Sequence, residues 1–117
     1  MDFRELMLVF AGGGSGSVLR WLISRVLPAS VFPFSTFFAN ILAVVILVFA
    51  MRNQDLNDSW RLFLLTGFCG GLSTFSTFSM ESVQLLKNGH SGFFFLNVLF
   101  SLLVCMGIVY ALLKART

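Results

Sequence analysis

Gly67-Phe-Cys-Gly-Gly-Leu-Ser-Thr-Phe-Ser-Thr-Phe-Ser79 lies in the middle of an apolar stretch that runs from about residue 60 to 86. Glycines and a dense run of hydroxyls are costly at that depth in a bilayer. Gly70 and Gly71 permit backbone that a continuous helix does not, and Ser73 and Thr74 suit the N-cap of a second half-helix. The stretch therefore predicts a discontinuous helix: 60 to about 69, a break, then about 73 to 86. Unwound backbone at mid-membrane is tolerated only inside protein or beside a cavity, and its free carbonyls can hold a cation. Close helix packing alone would account for the glycines. It would not account for Ser73, Thr74, Ser76, Thr77 and Ser79 falling within seven positions.

Working outward, the same character holds for the whole chain. Its 117 residues make one domain, 57% hydrophobic and 11% charged, with a mean hydropathy of +0.91. A water-soluble domain of this size needs far more charge to cover its surface. The charges gather in clusters: Asp2, Arg4 and Glu5; Arg52, Asp55, Asp58 and Arg61; Lys114 and Arg116. Between them lie apolar stretches long enough to cross a bilayer. The reading is an all-α integral membrane protein with four transmembrane helices, spanning about 3–27, 34–51, 60–86 and 92–113. The second is about 27 Å long at the helical rise, enough for the hydrocarbon core. Pro28 and Pro33 bracket one connection. Trp60 stands where an interfacial anchor belongs, and Lys87-Asn-Gly-His90 reads as a tight polar turn.

Four spans place both ends of the chain on one side. Arg4, Arg52, Arg61, Lys114 and Arg116 fall there, against Arg20, Arg25 and Lys87 on the other. The positive-inside rule favours cytoplasmic ends by this small margin, and so even a distribution is compatible with insertion both ways.

Several classes drop out. No basic stripe alternates with exposed aromatics, so nucleic acid is not a partner. Cys69 and Cys105 sit in apolar segments without a CxxC or Cys/His cluster, which argues against a metal site of that kind or a disulfide. No nucleophile–base pair points to an enzyme. The first apolar stretch is interrupted by Gly12–Gly16 and lacks an A-x-A site, so a cleaved signal peptide is not expected. A proton-coupled exporter of cationic drugs needs a carboxylate central to the first helix. Glu5 lies at the membrane edge instead, and Glu81 near the end of a span.

The remaining polar residues suggest a path for a small anion. Phe75 and Phe78 are spaced i, i+3 and share a face, and the edge of a phenyl ring is positive. Asn40, deep in the second span, offers two N–H donors; its alternative role is an interhelical hydrogen bond. Asn97, Ser101 and Cys105 recur every fourth residue on the fourth span. Gly12, Gly16 and Arg20 form one stripe of the first, with the GxxxG spacing of close helix approach. Arg20 and Glu81 lie toward the same membrane side, where they pair or share a water-filled vestibule; Arg20 snorkelling alone is the alternative. Four helices cannot enclose both a mid-membrane break and a polar path, so a second copy is expected to cover them.

The run Gly67 to Ser79, continued by Met80-Glu81, closely resembles the signature of the Fluc (CrcB) fluoride channels. The Gly12-Gly-Gly-Ser-Gly-Ser-Val-Leu-Arg-Trp21 and Thr36-to-Asn40 segments support it, and length, span count and motif order agree along the chain. The resemblance implies an antiparallel, dual-topology homodimer with two fluoride pores. It also implies a structural sodium ion at the dimer interface, held by the backbone carbonyls of Gly70 and Ser73. Phe75 and Phe78 would be the pore-lining aromatic pair, Asn40 the pore amide, and Ser76, Thr77 and Ser101 polar positions along the path. The implied function is passive, selective export of toxic fluoride across the lipid of a cell's inner or plasma membrane.

Overall fold

The computed structural model describes residues 2–115; Arg116, one of the charges used to orient the chain, lies outside them. Among the described residues all regular structure is helical. Four helical stretches, Phe3–Val26, Phe34–Arg52, Asp58–Lys87 and Ser91–Lys114, are long and apolar enough to cross a membrane, so the chain is a multi-pass membrane protein.

Helix α1 (Phe3–Val26) opens with a capping box, in which the Asp2 carboxylate accepts from the Glu5 N–H at 2.8 Å and the Asp2 N–H donates to Glu5 at 3.1 Å. Helix α2 (Phe34–Arg52) starts directly after Pro33. The third span is composite. Helix α3 (Asp58–Arg61), capped by Asn57, leads into a π-helical segment, Leu62–Cys69, then α4 (Gly70–Leu72) and, after two residues, α5 (Phe75–Lys87). Helix α5 ends in a Schellman motif: the His90 N–H donates to Leu85 O and the Gly89 N–H to Leu86 O, with Gly89 at φ +82°. A positive φ there is why the turn carries glycine. Helix α6 (Ser91–Lys114) closes the bundle.

Helix α1 and the π-helical segment meet backbone to backbone. A methyl group at Gly12 would strike the Phe63 carbonyl; one at Gly16 would strike the Phe68 carbonyl and come within 2.8 Å of Leu72 N. The match is reciprocal, since one at Gly71 would strike the Gly13 carbonyl and one at Gly67 would lie 2.9 Å from Gly12 Cα. Five residues of α1, Gly12 to Gly16, thus face six of the third span, Phe63 to Phe68. The wider π turn accommodates that extra residue. Lipid tails are as apolar as Leu, so contacts of this kind, not water exclusion, hold membrane helices together.

The buried apolar core is small: Ala39, Ala43 and Leu72, flanked by Leu19, Ile23, Ile46 and Phe68. Most large apolar side chains, among them Phe10, Trp21, Phe49 and Leu103, point outward, as lipid-facing residues do.

Candidate functional site

Helical winding stops at Leu72 and resumes at Phe75. Between them Ser73 (φ −78°, ψ 154°) and Thr74 (φ −150°, ψ 118°) are extended. The irregular backbone thus falls at Ser73 and Thr74, and not at Gly70 and Gly71 as the glycines alone suggest. Gly70 is helical (φ −63°, ψ −35°), and Gly71 serves to bring α1 close. The side chain of Ser73 helps end the first half: its N–H and its hydroxyl both reach the Cys69 carbonyl, at 3.0 and 2.9 Å. Thr74 caps α5, its Oγ1 accepting the Thr77 N–H at 3.2 Å and pairing with the Ser76 hydroxyl at 3.1 Å.

Every interrupted helix must rehouse its backbone groups, and here the partners are identifiable. Asn40 on α2 grips Thr74 from both sides of its amide: Oδ1 accepts the Thr74 N–H at 2.8 Å, and Nδ2 donates to the Thr74 carbonyl at 3.5 Å. Arg20 Nε, with the Ser17 hydroxyl, donates to the Gly71 carbonyl, at 3.2 and 3.5 Å. A cation at the C-terminal end of a helix is favourably placed. Two carbonyls lose their helical donors to side-chain acceptors in this exchange. The Thr74 N–H, which would serve Gly70, is given to Asn40, and the Thr77 N–H, which would serve Ser73, is given to Thr74 Oγ1.

A recess of about 260 Å³ opens beside this irregularity. Asn40 and Val44 of α2, Ser73, Thr74, Phe75 and Phe78 of the third span, and Ser101, Leu102, Cys105 and Met106 of α6 line it. The Phe75 and Phe78 rings lie 5.7 Å apart at 37°. Phe78 is buried, whereas Phe75 is 76% exposed. A second polar chain runs behind the recess: Asn97 Nδ2 donates to the Ser82 hydroxyl at 2.8 Å, and the Ser101 hydroxyl to Asn97 Oδ1 at 3.4 Å. Asn97 is 1% exposed, so an unmet amide there would be costly.

Of the residues singled out in the sequence, Asn40, Ser73, Phe75, Phe78 and Ser101 share the recess. Ser76 and Thr77 do not line it and are tied to Thr74 instead. Gly70 is exposed, and a methyl group there would meet nothing within 4 Å. Arg20 and Glu81 form no ion pair among the described residues: Arg20 is engaged by Gly71, while Glu81 Oε1 is buried without a hydrogen-bond partner. Thr74, which had been read only as a possible cap, also offers the backbone that Asn40 holds. Its position next to a predicted interruption, one helix away from the only Asn of the second span, was the available signal.

The fold and this recess define a small multi-pass membrane protein whose polar groups converge at mid-span rather than at a water-facing cleft. Residues 7–113 match the family described as CrcB-like protein, Camphor Resistance (CrcB), and the chain belongs to that family. Among its relatives, the fluoride-specific ion channel FluC of Pyrococcus furiosus is 43% identical over 115 residues, covering 94% of each chain. FluC of Pyrococcus abyssi is 40% identical over the same length and coverage. That of Salmonella arizonae is 47% identical over 104 residues, covering 84% of this chain and 82% of its own. These relatives are named as channels, not enzymes.

Proposed function

We propose that this protein is a passive, selective fluoride channel that works as an antiparallel dimer with two pores. The observation that carries the reading is the recess itself, where the Asn40 amide, the Ser101 hydroxyl and the Phe75–Phe78 pair converge on extended backbone. Fluoride is small and strongly hydrated, and an unpaired ion in low dielectric costs on the order of tens of kcal/mol. Amide and hydroxyl donors replace its water piecemeal, and the positive edges of the rings face it where donors are lacking. Ser76 and Thr77 add hydroxyls next to that route. Several modest sites let the ion leave as well as enter. No nucleotide-binding motif is present, so the flow follows the gradient, out of a cell that has accumulated a toxic anion.

Three features support a second copy. Phe75 is largely uncovered, Gly70 has open space beside it, and the recess is open to the outside of this chain. Groups of this polarity at mid-membrane need protein against them, and a two-fold partner is the simplest cover. The near-even spread of Arg and Lys between the two sides is compatible with opposed orientations.

The residues present also fit a sodium ion at that interface. The Gly70 and Ser73 carbonyls are the two whose helical donors are diverted to side chains, and hard cations take oxygen ligands. Bound there, sodium would supply positive potential to the site and join the two third spans.

The test is ion efflux from liposomes holding the pure protein. Rapid fluoride efflux with negligible chloride efflux is expected. Equal passage of both halides, or none of either, would overturn the reading.

A further inference from the structure

Away from the recess, the N-terminal ends of α1 and of the third span, which pack in parallel, leave a cavity of about 410 Å³ at the membrane edge. Arg4, Leu8, Asn57, Ser59, Trp60 and Phe63 line it. We propose that this cavity binds the headgroup and upper chain of an anionic phospholipid, one per protein chain.

The polarity of the lining follows that of the lipid. Arg4, Asn57 and Ser59 stand at the mouth, before or at the first turn of their helices, and Leu8 and Phe63 lie one turn deeper. Trp60, 54% exposed, stands between the two levels with its ring 5.8 Å from Phe63 in an edge contact, and interfacial tryptophans occupy that depth.

The donors at the mouth are unspent. Among the described residues Arg4 makes no ion pair or hydrogen bond, and nothing engages the Ser59 hydroxyl. Asn57 uses only Oδ1, to accept the Trp60 N–H at 2.9 Å, which leaves its amide N–H groups free. None of the nearby acids forms an ion pair with Arg4: Asp2 and Glu5 each accept the other's backbone N–H, and neither Asp55 nor Asp58 lines the cavity. A guanidinium, an amide and a hydroxyl above an apolar floor match a phosphodiester above acyl chains.

Native mass spectrometry of the full-length protein in detergent, with added phosphatidylglycerol or phosphatidylcholine of identical chains, tests the proposal without reading fluoride. Phosphatidylglycerol should be retained about fivefold more strongly, the preference expected of one basic residue at the membrane surface. Arg4→Gln should abolish that preference, Arg4→Lys should keep part of it, and Lys114→Gln, a cation at the same membrane side, should leave it unchanged. Equal retention of the two lipids overturns the proposal. So does an equal loss in Lys114→Gln, which would mean surface charge in general. A change of oligomeric state in Arg4→Gln, which would make this face a subunit contact, overturns it too.

Discussion

Residues 58–72 lie with their backbone against the backbone of α1, whereas α5, the other half of the same span, meets its neighbours through side chains. In the first half Gly67 and Gly71 pack on Gly12, Gly13 and Gly16 so tightly that no Cβ fits at Gly12, Gly16, Gly67 or Gly71. In the second, Phe78, Ser82 and Leu85 form the buried face, and the key contact is a single amide–hydroxyl bond from Asn97 to Ser82. One half is fixed by shape and tolerates no side chain at its contact glycines, Gly67 and Gly71. The other is fixed by hydrogen bonds, which leaves donors, hydroxyls and a bare ring turned toward whatever completes the site. A span that must be both anchor and lining divides the two tasks at Ser73 and Thr74.

The sharpest way to break this contrast is to add carbon to each side of it. Gly71→Val should remove the folded protein altogether, because the new atoms fall on the Gly13 carbonyl, which cannot yield as a side chain can. The expected loss exceeds about 4 kcal/mol, read as the disappearance of a single sharp peak in size-exclusion chromatography. Gly70→Ala, one residue away, meets nothing within this chain. It should keep its helix content by circular dichroism, and any loss of efflux or of dimer would then report on what lies outside the chain. Equal damage from both would show that the glycines act through backbone conformation instead of close approach.

Asn40 joins the two halves and gives the next largest effect. Asn40→Leu leaves the Thr74 N–H without its acceptor, at a cost of about 1–3 kcal/mol in thermal or denaturant stability, and should stop fluoride efflux. Asn40→Asp keeps an acceptor for that N–H but sets a negative charge in the recess. It should fold nearly as well as the parent and still conduct nothing. If Asn40→Asp conducts, the amide serves structure only.

How far the sequence could carry this picture depends on the kind of information each feature needs. The four spans are written in the length of the apolar stretches, a local property. The Gly12–Gly16 stripe was likewise visible, but its partners Gly67 and Gly71 were not matched to it, because that requires the register between two helices. Gly71 was read as a source of backbone freedom, and the structure uses it for space. The π-helical winding of Leu62–Cys69 leaves no trace, since a run of eight mostly apolar residues is too short and too even to show a distorted periodicity. Charge suggested Glu81 for Arg20. The carbonyl that Arg20 meets exists as an acceptor only because the helix stops one residue later, a fact of folded geometry. Asn97 could be set on a stripe with Ser101, but nothing in the spacing aimed it at Ser82.

Phe78→Ile tests the lining half alone. Phe78 is buried against its own chain, and Ile fills much of the same space, so the fold should survive. Fluoride efflux should fall about tenfold, the worth of one aromatic contact of about 1.5 kcal/mol, with size-exclusion behaviour unchanged. A loss of folded protein in place of slower efflux would move Phe78 from the lining to the anchor.

The smallest expected effect falls on the junction. Thr74→Val keeps the shape of the side chain, and it leaves untouched the backbone N–H and carbonyl that Asn40 holds. What it removes is Oγ1, and with it the cap on the Thr77 N–H and the partner of the Ser76 hydroxyl. Loss of an N-cap of this type costs about 1 kcal/mol, a small drop in the thermal midpoint that Thr74→Ser should not show. There is a second consequence. Once released, the Thr77 N–H can return to the Ser73 carbonyl, one of the two oxygens that the capping arrangement leaves without a helical donor. Thr74→Val should therefore weaken any dependence of the dimer on sodium, measured as monomer–dimer dissociation in sodium against N-methylglucamine buffers, by more than its effect on the fold predicts. If the midpoint falls while that dependence is unchanged, the cap stabilises α5 and has no part in keeping the carbonyl free.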